Sequence, residues 1–177
     1  MNKTIELIPY RPEYLADAAQ AIREMLTTPP LHETVALNDV ISQLNADQGR
    51  ESFGGLLALD ERQRVIGGMW WFGLDGQALY ERWKPRFTPR ESIPVPSGRG
   101  IYIANIGVIP SVRNRGLGSY LLGTALDGLQ LGCNWIATTA YQSWSAGLAM
   151  LCGHGFTQLP LQSLQGQGKV ALIKQLV

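Results

Sequence analysis

Residues 3–10 (KTIELIPY) alternate apolar and polar side chains, the period of a half-buried strand. Pro12 stands where a first helical turn tolerates proline. Leu15, Ala18, Ala19, Ile22, Met25 and Leu26 then recur at helical spacing and predict a helix over 12–27. Thr27-Thr28-Pro29-Pro30 ends it. Val35, Leu37, Val40, Ile41 and Leu44 predict a second helix over 33–46. Residues 52–60 and 64–74 are rich in β-formers, and the polar run Asp60-Glu61-Arg62-Gln63 between them reads as the turn of a hairpin. Within that second strand Trp70 and Phe72 share a face, while Trp71 takes the other. The stretch 75–100 contains Pro85, Pro89, Pro94 and Pro96, which excludes a regular central strand. It reads as a long loop, of the kind that is either a functional lid or disordered.

Residues 101–109 (IYIANIGVI) predict a strand buried on both faces, closed by Pro110. Gly116 and Gly118 precede a helix with Leu117, Leu121, Leu122, Ala125, Leu126 and Leu129 at core spacing, with Gly132 as its stop. Residues 134–141 (NWIATTAY) form the next strand. Ser143 or Ser145 is placed to cap a helix over 145–152, which stops at Gly153-His154-Gly155. Residues 169–176 (KVALIKQL) supply the last strand. The order is β-α-α-β-β-(insertion)-β-α-β-α-β, with antiparallel strands first and a parallel strand–helix–strand unit later. That order describes an α/β or α+β sheet with helices packed on it.

Composition narrows the class. The chain has 177 residues, 16% of them charged, and 20 are glycine. That length buries a core without metal or disulfide staples, so one domain over 1–177 is expected. The two cysteines, Cys133 and Cys152, offer neither a disulfide framework nor metal-ligand spacing. No apolar run reaches the length of a membrane helix, and MNKTIELIPYR lacks the apolar centre of a signal peptide. A cytoplasmic protein without membrane or metal is the expectation. The near-neutral balance argues against a nucleic-acid binder. Charge is skewed nonetheless: residues 1–74 hold ten acids and six bases, whereas 101–177 hold one acid, Asp127, and four bases. A C-terminal part almost free of carboxylates suits an anionic ligand.

The segment richest in chemical information is the strand 101–109 followed by Pro110-Ser111-Val112-Arg113-Asn114-Arg115-Gly116-Leu117-Gly118-Ser119 and a helix. Glycines at a strand-to-helix turn let the backbone approach a bound group closely. The first-turn amides point at that group, and the helix dipole favours negative charge there. A phosphate or diphosphate is the natural occupant, with Arg113 and Arg115 as cationic donors beside it. Two known phosphate motifs fit poorly. A P-loop needs a lysine before Ser119, where Gly118 stands, and a dinucleotide fingerprint needs a small residue at Leu121.

The run Arg113-x-x-Gly116-x-Gly118, after a strand ending in Val-x-Pro, resembles the acetyl-CoA motif of the GNAT superfamily of N-acetyltransferases. Ile106-Gly107-Val108-Ile109-Pro110 is similar to the family's strand four, and 134–141 to its strand five. Ala149-Met150-Leu151-Cys152-Gly153-His154-Gly155-Phe156 is similar to the helix ending in its Gly-Phe signature. The resemblance implies a central mixed, mostly antiparallel sheet, splayed between strands four and five and flanked by helices. It implies acetyl-CoA as cosubstrate. Ile106, Gly107 and Val108 would line the pantetheine arm, the amides of Arg115, Gly116, Leu117, Gly118 and Ser119 would hold the diphosphate, and Arg113 and Asn114 would complete the coenzyme-binding set. The implied reaction is acetyl transfer to a primary amine of a small molecule or a protein. The alternative is a catalytically weak coenzyme-A-binding module with a sensing or scaffolding role.

That alternative comes from departures. The family's leaving-group tyrosine falls on Leu151 or Met150, its strand-four glutamate on Ala104 (followed by Asn105), and its asparagine on Trp144 or Ser143. Tyr141, at the end of its strand, is the candidate acid or base relay, against the reading of an aromatic on the sheet rim. Cys152 reads as a buried, inert thiol. His154, between two glycines, reads as a solvated turn residue, and His32 and Glu33 read as surface residues near the acceptor side. In 75–100, Tyr80, Trp83 and Phe87 alternate with Arg82, Lys84, Arg86 and Arg90, which suggests a lid or a homodimer contact.

Overall fold

The computed structural model describes residues 5–129, 132–164 and 168–176. The chain forms two compact units, Met1–Phe72 with Ala104–Asp127, and Gly73–Ile103 with Gly128–Val177. Residues 3 and 4 of the first predicted strand lie outside the described residues.

In the first unit, β1 (Glu6–Pro9) pairs antiparallel with β2 (Gly54–Leu59), and β2 pairs antiparallel with β3 (Val65–Asp75). The predicted hairpin is present. Its turn is fastened by Asp60, whose Oδ1 accepts from the Arg62 and Arg64 amides and whose Oδ2 accepts from Arg64 Nε at 2.8 Å. The Arg64 side chain holds the Asp60 carboxyl at about 2, below its usual range. Pro12–Tyr14 makes a 3-10 turn that leads into α1 (Leu15–Thr27). The second helix, α2 (Leu37–Gln48), begins later than its apolar pattern: 33–36 lie outside any regular element, Ala36 is extended, and the Glu33 amide donates to the Leu26 carbonyl at 2.8 Å. Ala18, Ala19, Ile22 and Met25 of α1, Val40 and Leu44 of α2, Leu57 and Trp70 form one buried cluster. Trp70 and Phe72 are buried while Trp71 is half-buried and lies over Gly54, as the strand alternation predicts.

In the second unit the stretch 75–100 departs from its reading as a loop. It contains α3 (Gly76–Trp83), β4 (Phe87–Thr88) and a 3-10 turn at Arg90–Ser92. The Asp75 side chain caps α3 by accepting from the Ala78 amide at 2.8 Å. Leu79 and Trp83, one turn apart, are fully buried, as are Phe87 and, nearly so, Ile93. The prolines all follow the helix, so they do not interrupt it.

β5 (Arg99–Val108) is the strand read as the family's fourth. It pairs in parallel with β6 (Trp135–Tyr141), from Gly100–Trp135 to Ile103–Thr138. β6 pairs antiparallel with β9 (Lys169–Gln175), and β7 (Thr157–Gln158) pairs antiparallel with β9. β8 (Gln162–Ser163) pairs with β4 in a separate small sheet. α4 (Leu117–Leu129) follows β5, and α5 (Ser145–Gly153) follows β6. The sheet is mixed and mostly antiparallel, with helices flanking it, as expected. Three expectations fail locally. β5 is fully buried only over Gly100–Ile103, and 104–108 are half-buried, because the registered pairs with β6 stop at Ile103. α5 is preceded by Trp144 with no side-chain cap, so neither Ser143 nor Ser145 caps it; instead the Trp144 ring packs over Gly147, where a Cβ would collide with it. Cys152 is exposed rather than buried.

Candidate functional site

The turn between β5 and α4 is built in short steps. Pro110–Val112 forms a 3-10 turn, closed by Val112 and Arg113 amides donating to the Ile109 and Pro110 carbonyls at 3.2 Å. Arg113 then extends the backbone, Asn114 turns left-handed at φ 60°, and Gly116 does so at φ 79°. That second left-handed position suits glycine, which has no Cβ to collide with the following carbonyl. A Cβ built on Gly116 would meet nothing within 4 Å, so the turn is open at this point. The Tyr120 amide donates to the Gly116 carbonyl at 2.9 Å, which makes Gly116 the residue before the first helical position. Being glycine, it brings no side-chain acceptor to the first-turn amides. Those amides, of Leu117 and Gly118 among them, point out along the helix axis with the positive end of its dipole. Asn114 and Arg115 are exposed beside them, and Asp127 is the sole carboxylate from 101 to 127. The arrangement can hold a phosphate or diphosphate through backbone amides and one guanidinium.

Arg113 does not face this opening as a phosphate donor. Its Nε donates to the Val108 carbonyl at 3.4 Å, and one terminal nitrogen donates to the Met25 carbonyl at 3.3 Å and the Thr28 hydroxyl at 3.1 Å. The other terminal nitrogen donates to the Pro29 carbonyl. A guanidinium has five N–H donors in a planar fork, and four serve these oxygens. Arg113 therefore ties β5 and its turn to the C-terminal end of α1, where a cation is favoured.

Ile106, Gly107 and Val108 form the half-buried end of β5. One face of Gly107 is taken by Met25 of α1, whose sulfur lies 2.7 Å from where a Cβ would stand. Gly107 is thus needed for α1 to approach β5 closely. Val108 packs on Gly67 of β3, and the Ile109 amide donates to the Ile66 carbonyl at 2.9 Å.

In the second unit, Tyr141 ends β6 half-buried, with Lys169 Nζ 4.6 Å from its ring centroid. Leu151, at the family's tyrosine position, is 1% exposed, and neither it nor half-buried Met150 can release a proton. His154 follows α5 half-buried, and its carbonyl accepts from Lys174 Nζ at 2.7 Å. In the first unit Ala104 and Asn105 are half-buried, and His32 is exposed at φ 51°.

Three features escaped the sequence reading. Asp47 is fully buried, accepting from Trp70 Nε1–H at 3.0 Å and from Arg50 Nε at 3.0 Å, while the Arg50 guanidinium lies over Phe72. A sequence signal existed: Val40, Leu44 and Asp47 fall on one helical face, so an acid stands in an apolar stripe. The Tyr102 and Thr139 hydroxyls meet at 3.1 Å, and the Thr138 hydroxyl donates to the Ile103 carbonyl at 2.9 Å, at the last β5–β6 pair. Burial pushes the Cys133 thiol up, which leaves less of it as the reactive thiolate. Among the described residues no helix is long and apolar enough to cross a membrane.

No curated protein matches the chain. Solved structures match over nearly its whole length. A GNAT-family acetyltransferase from Staphylococcus aureus Mu50 superposes with a TM-score of 0.70 at 13% identity, covering 98% of this chain and 100% of that one. A GNAT phosphinothricin acetyltransferase from Sinorhizobium meliloti, solved with AcCoA, gives 0.69 at 16%, covering 99% and 89%. The ribosomal-protein-S18-alanine N-acetyltransferase of Escherichia coli gives 0.69 at 13%, covering 98% and 94%. At these identities the likeness is one of fold. The family model of the acetyltransferase (GNAT) family matches residues 19–153, and with the strand, turn and helix described above the chain belongs to that family, whose members transfer acetyl groups from acetyl-CoA.

Proposed function

We propose that the protein is an N-acetyltransferase that moves the acetyl group of acetyl-CoA to a primary amine of a small molecule or a protein terminus. The observation that carries the reading is the open left-handed turn at Gly116, set before the first turn of α4. Amides from Arg115 to Ser119 hold the diphosphate, with the Arg115 side chain and Asn114 beside it. Arg113 acts from behind, fixing the turn through its bonds to α1. Ile106, Gly107 and Val108 run alongside the pantetheine arm. The neutral amine attacks the thioester carbonyl, a C–N bond forms, the C–S bond breaks, and the proton that the nitrogen gives up passes to solvent water. Tyr141 protonates the departing thiolate, which is general acid catalysis by a phenol. The protein-directed and small-molecule acetyltransferases among the structural neighbours support both acceptor classes.

A second reading is favoured by one observation: Leu151 is buried and apolar where the family carries its tyrosine. On that reading the chain binds coenzyme A but turns it over slowly. Two assays decide. Thermal-shift titration with acetyl-CoA, CoA, ATP and NAD should show protection by the first two alone. Release of CoA thiol over a panel of amines, amino acids and peptides should then find an acceptor; protection without turnover on any amine supports the binding module.

A further inference from the structure

One face of the sheet in the second unit carries two phenols, each covered by a cation. Side chains alternate along a strand, so Thr139 and Tyr141 of β6 share a face. Tyr141 stands opposite Lys169 in the β6–β9 register, with Lys169 Nζ 4.6 Å from the centre of its ring. On β5 the Tyr102 hydroxyl meets that of Thr139 at 3.1 Å, and the Arg82 guanidinium of α3 covers the Tyr102 ring at 4.3 Å. Residues 128–177, which supply β6, α5, β7, β8 and β9, contain no Asp or Glu. The carboxylates of 73–103 are Asp75, which caps α3, Glu81, paired with Lys84 at 2.7 Å, and Glu91. The elements β6, α5 and β9 around Tyr141 thus bring no carboxylate side chain of their own, and the charged group shown against its ring is Lys169.

We propose that Lys169 is a positioning residue, which holds Tyr141 against β9 and favours the phenolate that remains after Tyr141 has given up its proton. The inference rests on the acid role given to Tyr141 above. A cation over a neutral ring is attracted by the ring quadrupole. When the phenol releases its proton, the ring and oxygen carry a full negative charge, and the attraction becomes one between opposite charges. The equilibrium of proton donation to the departing thiolate is helped by the same amount, and its rate by a fraction of it.

The test uses the full chain carrying ¹³Cζ-labelled tyrosine, with the Tyr141 signal assigned by its loss in Tyr141→Phe. In Lys169→Met the titration midpoint of Tyr141 should rise by about one pH unit, and the alkaline limb of kcat should move up with it. Lys169→Arg, which keeps a cation over the ring, should restore most of both shifts. An unchanged Tyr141 midpoint in Lys169→Met overturns the inference even if Tyr141→Phe is inactive. The reverse result, a shifted midpoint with full kcat in Tyr141→Phe, removes the acid role and with it the catalytic meaning of Lys169.

Discussion

Replacing Arg113 with alanine separates two roles that the sequence motif merges. In the structure the guanidinium spends four donors on Val108, Met25, Thr28 and Pro29, and all of these lie behind the turn. Hydrogen bonds to a charged group contribute about 1.5–3 kcal/mol each at best. Three of these are long, 3.1 to 3.4 Å, and the residue is half-buried, so each falls below that range. A cation at a helix C-terminus adds about 0.3–1 kcal/mol. The fork as a whole is worth about 3 kcal/mol. For a chain of this size each kcal/mol moves Tm by about 2–4 °C, so Arg113→Ala should lower the Tm of the ligand-free protein by roughly 6–12 °C. Arg113→Lys should recover less than half, since an ammonium cannot reproduce the planar fork. Arg115→Ala is the contrast: Arg115 is exposed, so Tm should stay within about 1 °C while the Kd for CoA rises and becomes less dependent on salt. Differential scanning calorimetry of the ligand-free variants and isothermal titration with CoA read both quantities. If Arg113→Ala keeps its Tm and loses CoA binding tenfold, the clamp is wrong and the guanidinium belongs to the phosphate.

Other expected outcomes are narrower. Gly100→Ala should unfold at markedly lower urea than the parent, by about 2–3 kcal/mol, because a Cβ there collides with the fully buried Trp135 ring; an unchanged midpoint would mean that the ring moves aside freely. The Asp60 carboxyl sits at about 2 when folded, below its unfolded value, so its contribution is present above about pH 4 and is lost as pH falls towards 2. Asp60→Asn should therefore flatten the fall in urea midpoint between pH 4 and 2.5, and a parallel curve would refute it. A thiol-reactive dye should label Cys152 rapidly and Cys133 slowly, since the first is exposed and burial pushes the second thiol up; two fast thiols would contradict this.

Most of the sheet was legible because its strands carry strong local patterns. The hairpin of β2 and β3 follows from two β-rich runs around a polar turn, and β5, β6 and β9 from apolar runs of the right length. What failed did so for physical reasons. Four prolines hid α3, although Asp75 and the Leu79–Trp83 spacing were there to find it. β4 and β8 are two residues each, too short for any period to register. The Gly116–Gly118 turn was readable because backbone conformation leaves its mark on residue type. Three of the four partners of Arg113 were not, since Met25, Thr28 and Pro29 lie more than eighty positions earlier in the chain and two of these bonds go to main-chain oxygens of α1 and the residues just after it. Lys169 opposite Tyr141 depends on antiparallel register, which no local pattern specifies.

The claim that most needs testing is that the opening of α4 grips the diphosphate of coenzyme A. Gly118→Asp places a negative charge in the first turn, which favours the helix itself but repels a phosphate. Calorimetric titration of acetyl-CoA into this variant should show binding weakened more than tenfold while the ligand-free Tm holds or rises. A variant that binds acetyl-CoA as tightly as the parent would place the coenzyme elsewhere.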